Sequence, residues 1–392
     1  MRYFLDIAET GVVAILRTPL RSLVTTVCLV VILVPFLTGL GLSKGIQKEA
    51  ELSIRFGADL YVTGRRFGRN VPVPVQVAKE IESIEGVTEV VPRIVGGIVL
   101  GKENENAVVV GMPIGRFPSS IACVEGTLPT GDGMNELVVG TELARQLGLK
   151  VDTLIPPFYR SSEGERVSKV VGIFKSDVSI WQSRLILTSF DTASAIFNQR
   201  GLATDLLVYC RPGYQGALSS TIRQTLQKEG GLQFEVTSQE DLERKLPVGL
   251  LHREGIFNVH FLLAFAVGIL VVLVTSGFGL SERRREMGIL KATGWQTDEI
   301  LLRSIVESFV LGLAGASMAF LIAYIWLAWL NGYWIAGVFL AGVGRAPSFS
   351  VPFQLTPVPA LLCFLVSFVI VMTGTVYTSW RAATSSPMEA MR

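Results

Sequence analysis

Charge is what this chain has least of for its length. Only 17% of its 392 residues are Asp, Glu, Lys or Arg, where a soluble globular domain carries about a quarter. Apolar residues make up 49%, so much of the chain is built for surroundings other than water. The near-neutral balance of +2 excludes the basic face that nucleic-acid binding requires. Histidine is scarce: His252 and His260 are the only two. Eight residues apart and beside an apolar run, they read first as interfacial side chains and only second as metal or haem ligands. With so few histidines and no ordered pair of acids, no Ser-His-Asp or paired-carboxylate arrangement can be argued, and no enzyme activity is expected. The phosphate-binding pattern G-x-x-x-x-G-K-[ST] is missing; no nucleotide cofactor and no metal are expected on this chain. Four cysteines, Cys28, Cys123, Cys210 and Cys363, form no CxxC pair, which excludes a zinc module or a disulfide scaffold.

What the sequence does have is long apolar runs. Stretches able to cross a bilayer, about 20 residues each, occur at 22–43, 257–280, 304–330 and 359–378. Any one alone would suit a buried core helix; four together, nearly free of charge, predict an α-helical membrane protein with four spans. Lys and Arg in the short connections set the orientation. The 281–303 loop carries Arg283, Arg284, Arg285, Lys291 and Arg303. Residues 1–21 carry Arg2, Arg17 and Arg21, and 379–392 carry Arg381 and Arg392. The 331–358 loop has Arg345 alone. Both termini and the 281–303 loop are therefore expected in the cytoplasm, with 44–256 and 331–358 outside. A signal peptide is the alternative for residues 1–42, but no A-x-A-like cleavage site follows, so an uncleaved first span is expected.

Residues 1–21 read as an interfacial helix, with Phe4, Ile7, Val12, Ile15 and Leu16 at near-helical spacing and a bend at Pro19. The 44–256 segment opens on a polar helix, "SKGIQKEAELSIRFGADL", and closes on another, "TSQEDLERKLPVGLLHREG", the second expected to break at Pro247. These read as two stalks carrying a large α/β domain. "ADLYVTG", "VPVQVAKEIESIEGV" and "TEVVPRIVGGIVL" give a strand, helix and strand; "DLLVYC", "GYQGALSSTIRQTLQKE" and "LQFEV" repeat that order. The two halves bracket a middle region, roughly 113–202. Cys123 and Cys210 both fall in this segment, where an oxidising compartment permits a disulfide between them; two unpaired thiols are the weightier reading. "GRRFGRN" (Gly64–Asn70) lacks the strand-to-helix setting of a nucleotide loop and reads as a polar turn.

The 281–303 loop is more than a connector. Glu282 to Thr293 is rich in helix formers, with Met287, Leu290 and Lys291 spaced along one face, and Gly294 is placed to end that helix. Thr297 is expected to cap the next one, with Asp298 and Glu299 in its first turn. A short rigid helix between two spans is a lever if something grips it; a plain solvated turn is the alternative. Glu307 is the one ionisable side chain near the inner end of the third run, and two readings stand: a functional intramembrane acid, or half of an i,i+4 ion pair with Arg303. Gly312, Gly315, Ala316 and Ala319 give the same run a small-residue stripe suited to close helix packing.

"RREMGILKATGW", with the Glu and paired Gly that follow it, resembles the MacB/FtsX-like permease family of ABC transporters. The ending "SWRAATSSPMEAMR", the opening "LRTPLRSLVTT" and the middle "NELVVGTELARQLGL…KVVGIF" are similar to that family in the same order. Two residues depart from it: Trp295, where a small residue is usual, and Ser386, where an acid is usual. The resemblance implies a non-catalytic permease subunit of the inner (plasma) membrane, with a MacB-like periplasmic core domain at 44–256. It implies a separate ATPase subunit that binds ATP and magnesium, and a homodimer or paired heterodimer of permeases. Arg285, Glu286, Met287, Gly288, Ile289, Leu290, Lys291 and Gly294 would form the coupling helix against that ATPase. The implied work is mechanotransmission, driving export or extraction of a hydrophobic or periplasmic substrate with a periplasmic adaptor (membrane fusion protein) or a lipoprotein as outer partner. The alternative is an FtsX-like transmitter that regulates an extracytoplasmic hydrolase or sensor.

Overall fold

The computed structural model of the chain describes residues 2–101, 105–131, 135–161, 164–226, 233–277, 280–336 and 350–384. The C-terminal tail from 385 and residues 337–349 of the 331–358 loop lie outside the described residues, as do the side chains of Arg283, Arg284 and His252. Among the described residues the helices are α1 Arg2–Arg17, α2 Pro19–Arg55, α3 Val77–Glu82, α4 Thr141–Leu147, α5 Ser179–Arg184 and α6 Phe190–Phe197. They continue with α7 Gln215–Leu226, α8 Gln239–Gly277, α9 Leu280–Ala292, α10 Thr297–Leu330 and α11 Pro357–Thr384. The strands are β1 Leu60–Arg66, β2 Arg69–Val71, β3 Val73–Pro74, β4 Val87–Leu100, β5 Glu105–Met112, β6 Ile121–Gly126, β7 Asn135–Gly140 and β8 Leu154–Ile155. β9 Arg160–Ser161, β10 Gly164–Glu165, β11 Ser168–Ser176, β12 Leu185–Ser189, β13 Leu202–Ala203, β14 Asp205–Cys210 and β15 Gln233–Ser238 complete them. The chain divides into two units: Met1–Gly45 with Leu251–Pro347 and Phe353–Arg392, and Ile46–Leu250 with Ser348–Pro352.

The first unit is helical. Three of its helices contain apolar stretches long enough to cross a membrane, within Pro19–Arg55, Thr297–Leu330 and Pro357–Thr375. The fourth expected span is represented by Asn258–Val274 in α8, a shorter apolar stretch at the lower limit of about 17 residues for a spanning helix. Thr18 is the one non-helical residue between α1 and α2, so the bend falls beside Pro19, whose missing N–H costs nothing in a first turn. Pro35 sits inside α2, and three residues on Thr38 Oγ1 donates to the Val34 carbonyl at 2.7 Å. The helix expected to break at Pro247 does not. α8 runs unbroken over 39 residues, because a proline removes only one helical bond and flanking turns hold the axis.

The helices of this unit approach closely at glycines. A Cβ on Gly312 would stand 3.3 Å from the Phe368 backbone, and one on Gly315 would stand 2.7 Å from Leu29. The core between them is Leu29, Leu33, Leu37, Leu311, Ala319 and Ile370. α10 and α11 are also stitched by hydroxyls: Ser367 Oγ donates to the Gly312 carbonyl at 2.9 Å, and Ser308 and Thr375 hydroxyls bond at 2.8 Å. Gly374 in α11 meets α8, where an added Cβ would stand 2.4 Å from Val272 Cγ1 and 3.2 Å from its backbone. Gly374→Leu is therefore expected to destabilise the bundle by about 1–3 kcal/mol through overpacking. A clear drop in the melting temperature of the detergent-solubilised protein checks it; an unchanged temperature contradicts the contact.

The second unit is built on a sheet in the order β15-β1-β14-β4-β5-β12-β7-β11-β6. Its first four strands form a split β-α-β arrangement: β1-α3-β4 and β14-α7-β15 interleave, and α3 and α7 cover one face. That core is Leu60, Val62, Val90, Leu206, Val208 and Val236 against Val77, Ile81, Leu218 and Ile222. Everything between β4 and β14 is an insertion. β4 joins the two parts because its first half pairs with β14 and its second half, from Ile94, pairs with β5. The insertion has its own core of Val109, Leu137, Val139, Leu143, Val170 and Ile186. A further cluster on the opposite face joins both parts through Ala58, Val91, Met112, Phe174 and Leu207.

Candidate functional site

The chain between α9 and α10 is tightly specified. Gly294 adopts φ +96°, a conformation that a residue with a Cβ resists. That turn lets the Trp295 N–H reach the Leu290 carbonyl at 3.0 Å and the Gly294 N–H reach Lys291 at 3.0 Å. These two bonds are the Schellman pair, which satisfies carbonyls left open at a helix end. The apolar contact that accompanies such a motif is present: Trp295 and Leu290 pack with Met287 and Ile300. The departure at Trp295 thus has a local use, clamping the end of α9 to the start of α10. Gln296, not Thr297, is the residue before α10, because Glu299 reaches back three residues and accepts the Gln296 N–H at 2.8 Å.

This packing decides which residues face outward. Met287 and Gly288 are buried, and Leu290 and Lys291 are half-buried. The face expected to be presented, Met287 with Leu290, is instead the inner face. Arg285, Glu286 and Ile289 are exposed, with Ile289 at 50%. Gly294 is also exposed, with open space where a Cβ would point. The eight residues therefore split into an internal brace and an outer surface consisting of one apolar knob between charged neighbours.

Glu307 lies on α10 three turns beyond the start and is 6% exposed. It is flanked along the helix by buried Ser304 and Ser308, and Ser308 bonds across to Thr375 of α11. The acid thus belongs to a polar seam between two apolar helices. Cys123 and Cys210 are not bonded: all four cysteines are free. Their strands, β6 and β14, stand six positions apart in the sheet order. At about 4.8 Å per strand, that separation is far beyond the roughly 7 Å Cα limit of a disulfide. Burial, with Asp59 nearby, pushes the Cys210 thiol up to about 11. Cys210 is therefore expected to alkylate about a hundredfold more slowly at pH 8 than an ordinary thiol, since only about 0.1% is thiolate there. Its rate should rise about tenfold per pH unit towards pH 10; iodoacetamide labelling followed by peptide mass spectrometry reads both, and ordinary reactivity at pH 8 contradicts them.

A second feature had no signature in the sequence. At the end of α2, Glu49 and Ser53 lie one turn apart on one face and hold α5. The Glu49 carboxylate accepts the Ser179 N–H at 2.6 Å and its hydroxyl at 3.0 Å, and Trp181 Nε1 donates to Ser53 Oγ at 3.2 Å. α5 is itself locked down. Gln182 Nε2 donates to the Ser176 carbonyl at 2.6 Å, and a Cβ on Gly140 would stand 2.3 Å from the Gln182 carbonyl. About 130 residues separate Glu49 from Ser179, so only the folded topology brings them together.

Residues 258–387 match the FtsX-like permease C-terminal family. About a third of the chain is thus an FtsX-like permease C-terminal domain. The match takes in α9, the Gly294 turn, α10 and α11, the helices whose packing is described above. The chain is also 30% identical over 153 residues to an uncharacterized ABC transporter permease of Methanocaldococcus jannaschii. That stretch is 38% of this chain and 37% of the relative, so the chain spans little more than a third of the curated relative it matches. Among solved structures it is similar to the periplasmic region of MacB from Actinobacillus actinomycetemcomitans, at 14% identity and a TM-score of 0.37, covering 49% of this chain and 95% of that one. It is similar as well to the extracellular domain of the noncanonic ABC-type transporter YknZ from Gram-positive bacteria, at 11% identity and a TM-score of 0.34, covering 45% and 100%. The permease is a multi-pass membrane protein.

Proposed function

We propose that the permease is a mechanical transmitter: a separate ABC ATPase grips the outer surface of α9, and the stroke is carried to the α/β unit for export or extraction of a hydrophobic or periplasmic substrate. In this reading the protein has four spans in the inner (plasma) membrane, both termini are cytoplasmic, and the α/β unit is outside. ATP and magnesium stay on the partner chain. Two permease subunits pair, so that closure of the ATPases draws α2 and α8 of one subunit towards those of the other.

The observation that carries this is the braced turn at Gly294. A helix end held by two backbone bonds and an apolar clamp transmits a push instead of absorbing it. α2 supports the outward half of the path. It is one helix of 37 residues, about 55 Å at 1.5 Å per residue, and a span uses only about 20 of them. Its remaining turns end in the Glu49–Ser179 clamp, so movement of α2 reaches the insertion as well as β1. The test is reconstitution of the full chain with the ABC ATPase that co-purifies with it. A stable complex with permease-dependent ATP hydrolysis is expected; no associated ATPase under native purification overturns the reading.

A further inference from the structure

The β1–β2 hairpin has a tip that folding alone does not account for. β1 and β2 pair with Arg66 opposite Arg69, which leaves a two-residue loop of Phe67 and Gly68. Both have positive φ, +52° and +75°, the signature of a type I′ turn, whose first position favours Asn, Asp or Gly. Phenylalanine there is conformationally strained, and it buries nothing in return, being 93% exposed. Cations surround it. Arg66 lies over the ring with its guanidinium carbon 5.6 Å from the centroid, and Arg69 is exposed beside it. Arg65 is half engaged, 3.1 Å from Glu235 with 48% of its side chain open.

We propose that this hairpin is a docking element that inserts Phe67 into an apolar pocket rimmed by carboxylates on a second protein. Aromatic and Arg residues are the types that dominate binding energy when buried at an interface centre, and a preformed two-residue turn presents them at little entropic cost. Three arginines against one nearby glutamate leave the tip cationic, so the complementary surface is acidic. β1 pairs Leu60 with Ser238 at one end and Arg65 with Gln233 at the other, so the tip lies about 20 Å along the strand from the start of α8. A lipid surface is the competing occupant, and the test separates the two. The inference is independent of the ATPase reading.

The test replaces Phe67 with a benzophenone amino acid in the full-length chain and photolyses intact cells. The expected result is a protein adduct whose cross-linked peptide is rich in Asp and Glu. Its yield should fall at least tenfold when Arg66→Glu and Arg69→Glu are combined. Phe67→Asn then separates docking from folding, because Asn suits the turn: the melting temperature should stay level or rise while binding to the captured protein falls at least tenfold. Adducts only to lipid or nucleic acid, no adduct, or an adduct indifferent to charge reversal would each overturn the proposal. So would full binding by Phe67→Asn.

Discussion

Ile289→Asp is expected to weaken the complex between the permease and its ATPase by at least about a hundredfold, the equivalent of roughly 2.7 kcal/mol. Half of Ile289 is already open to a partner, and it points away from the Met287, Leu290, Trp295 and Ile300 cluster. An aspartate there leaves the brace intact and places an unpaired charge in whatever apolar pocket receives the knob, which costs several-fold more than losing the contact. Ile289→Ala should show the milder effect, about tenfold. Both variants should melt within about 0.5 kcal/mol of the parent, as surface substitutions do. The contrast is Met287→Asp, which buries a charge inside the brace and should lower stability and binding together. Titration of the purified ATPase against the solubilised permease separates these cases, and an unchanged affinity for Ile289→Asp removes α9 from the interface.

The second large effect lies in the α/β unit. Arg93 and Asp205 stand directly opposite each other on β4 and β14, with Nε to Oδ1 at 3.0 Å and Nη2 to Oδ2 at 2.6 Å. Asp205→Ala strands the guanidinium on a face shared with Tyr61, whose ring lies 5.7 Å away. Breaking a fully buried pair costs about 3–5 kcal/mol; a quarter of the Arg93 side chain still reaches water, so about 2–3 kcal/mol is expected here. Replacing both, with Arg93→Met and Asp205→Leu, should restore most of the loss, because no charge is left unpaired. Burial alone would lower the Arg93 pKa, but the hydrogen bonds and charge of Asp205 outweigh it, and the net shift is upward. A raised basic pKa gives stability that is present below the unfolded value and lost only above the folded one, both far above neutrality. The stability difference between Asp205→Ala and the parent should therefore be constant from pH 6 to 9 in denaturant melts. Equal stability of variant and parent contradicts the role of the pair.

The helical elements were legible because composition and period are local signals. Apolar runs of bilayer length, the bend at Pro19 and the terminating glycine at 294 all follow from a few consecutive residues. The paired strand-helix-strand halves were legible for the same reason; their interleaving into one sheet, β15-β1-β14-β4, is a long-range pairing. What stayed hidden depends on distant contacts. Nothing in "KEAELS" or "SDVSIW" announces that Glu49 holds Ser179. The direction of the α9 faces needed Trp295, which turns Met287 and Leu290 inward where periodicity alone left either face available. Pro247 leaves α8 unbroken because the proline removes one bond from a helix held on both sides. In "GRRFGRN" the arginines make a polar turn legible, and only the positive φ of Phe67 exposes the cost of placing that side chain there.

The central claim is that an ATPase reads the outer face of α9 from the cytoplasm. Ile289→Cys, in a permease whose four native cysteines are replaced by serine, puts a reactive thiol at that point. Labelling with a membrane-impermeant maleimide is predicted to succeed in inside-out vesicles, fail in sealed right-side-out vesicles, and be suppressed at least tenfold when the ATPase is bound. Labelling from the outer side, or labelling that the bound ATPase leaves untouched, would contradict the account.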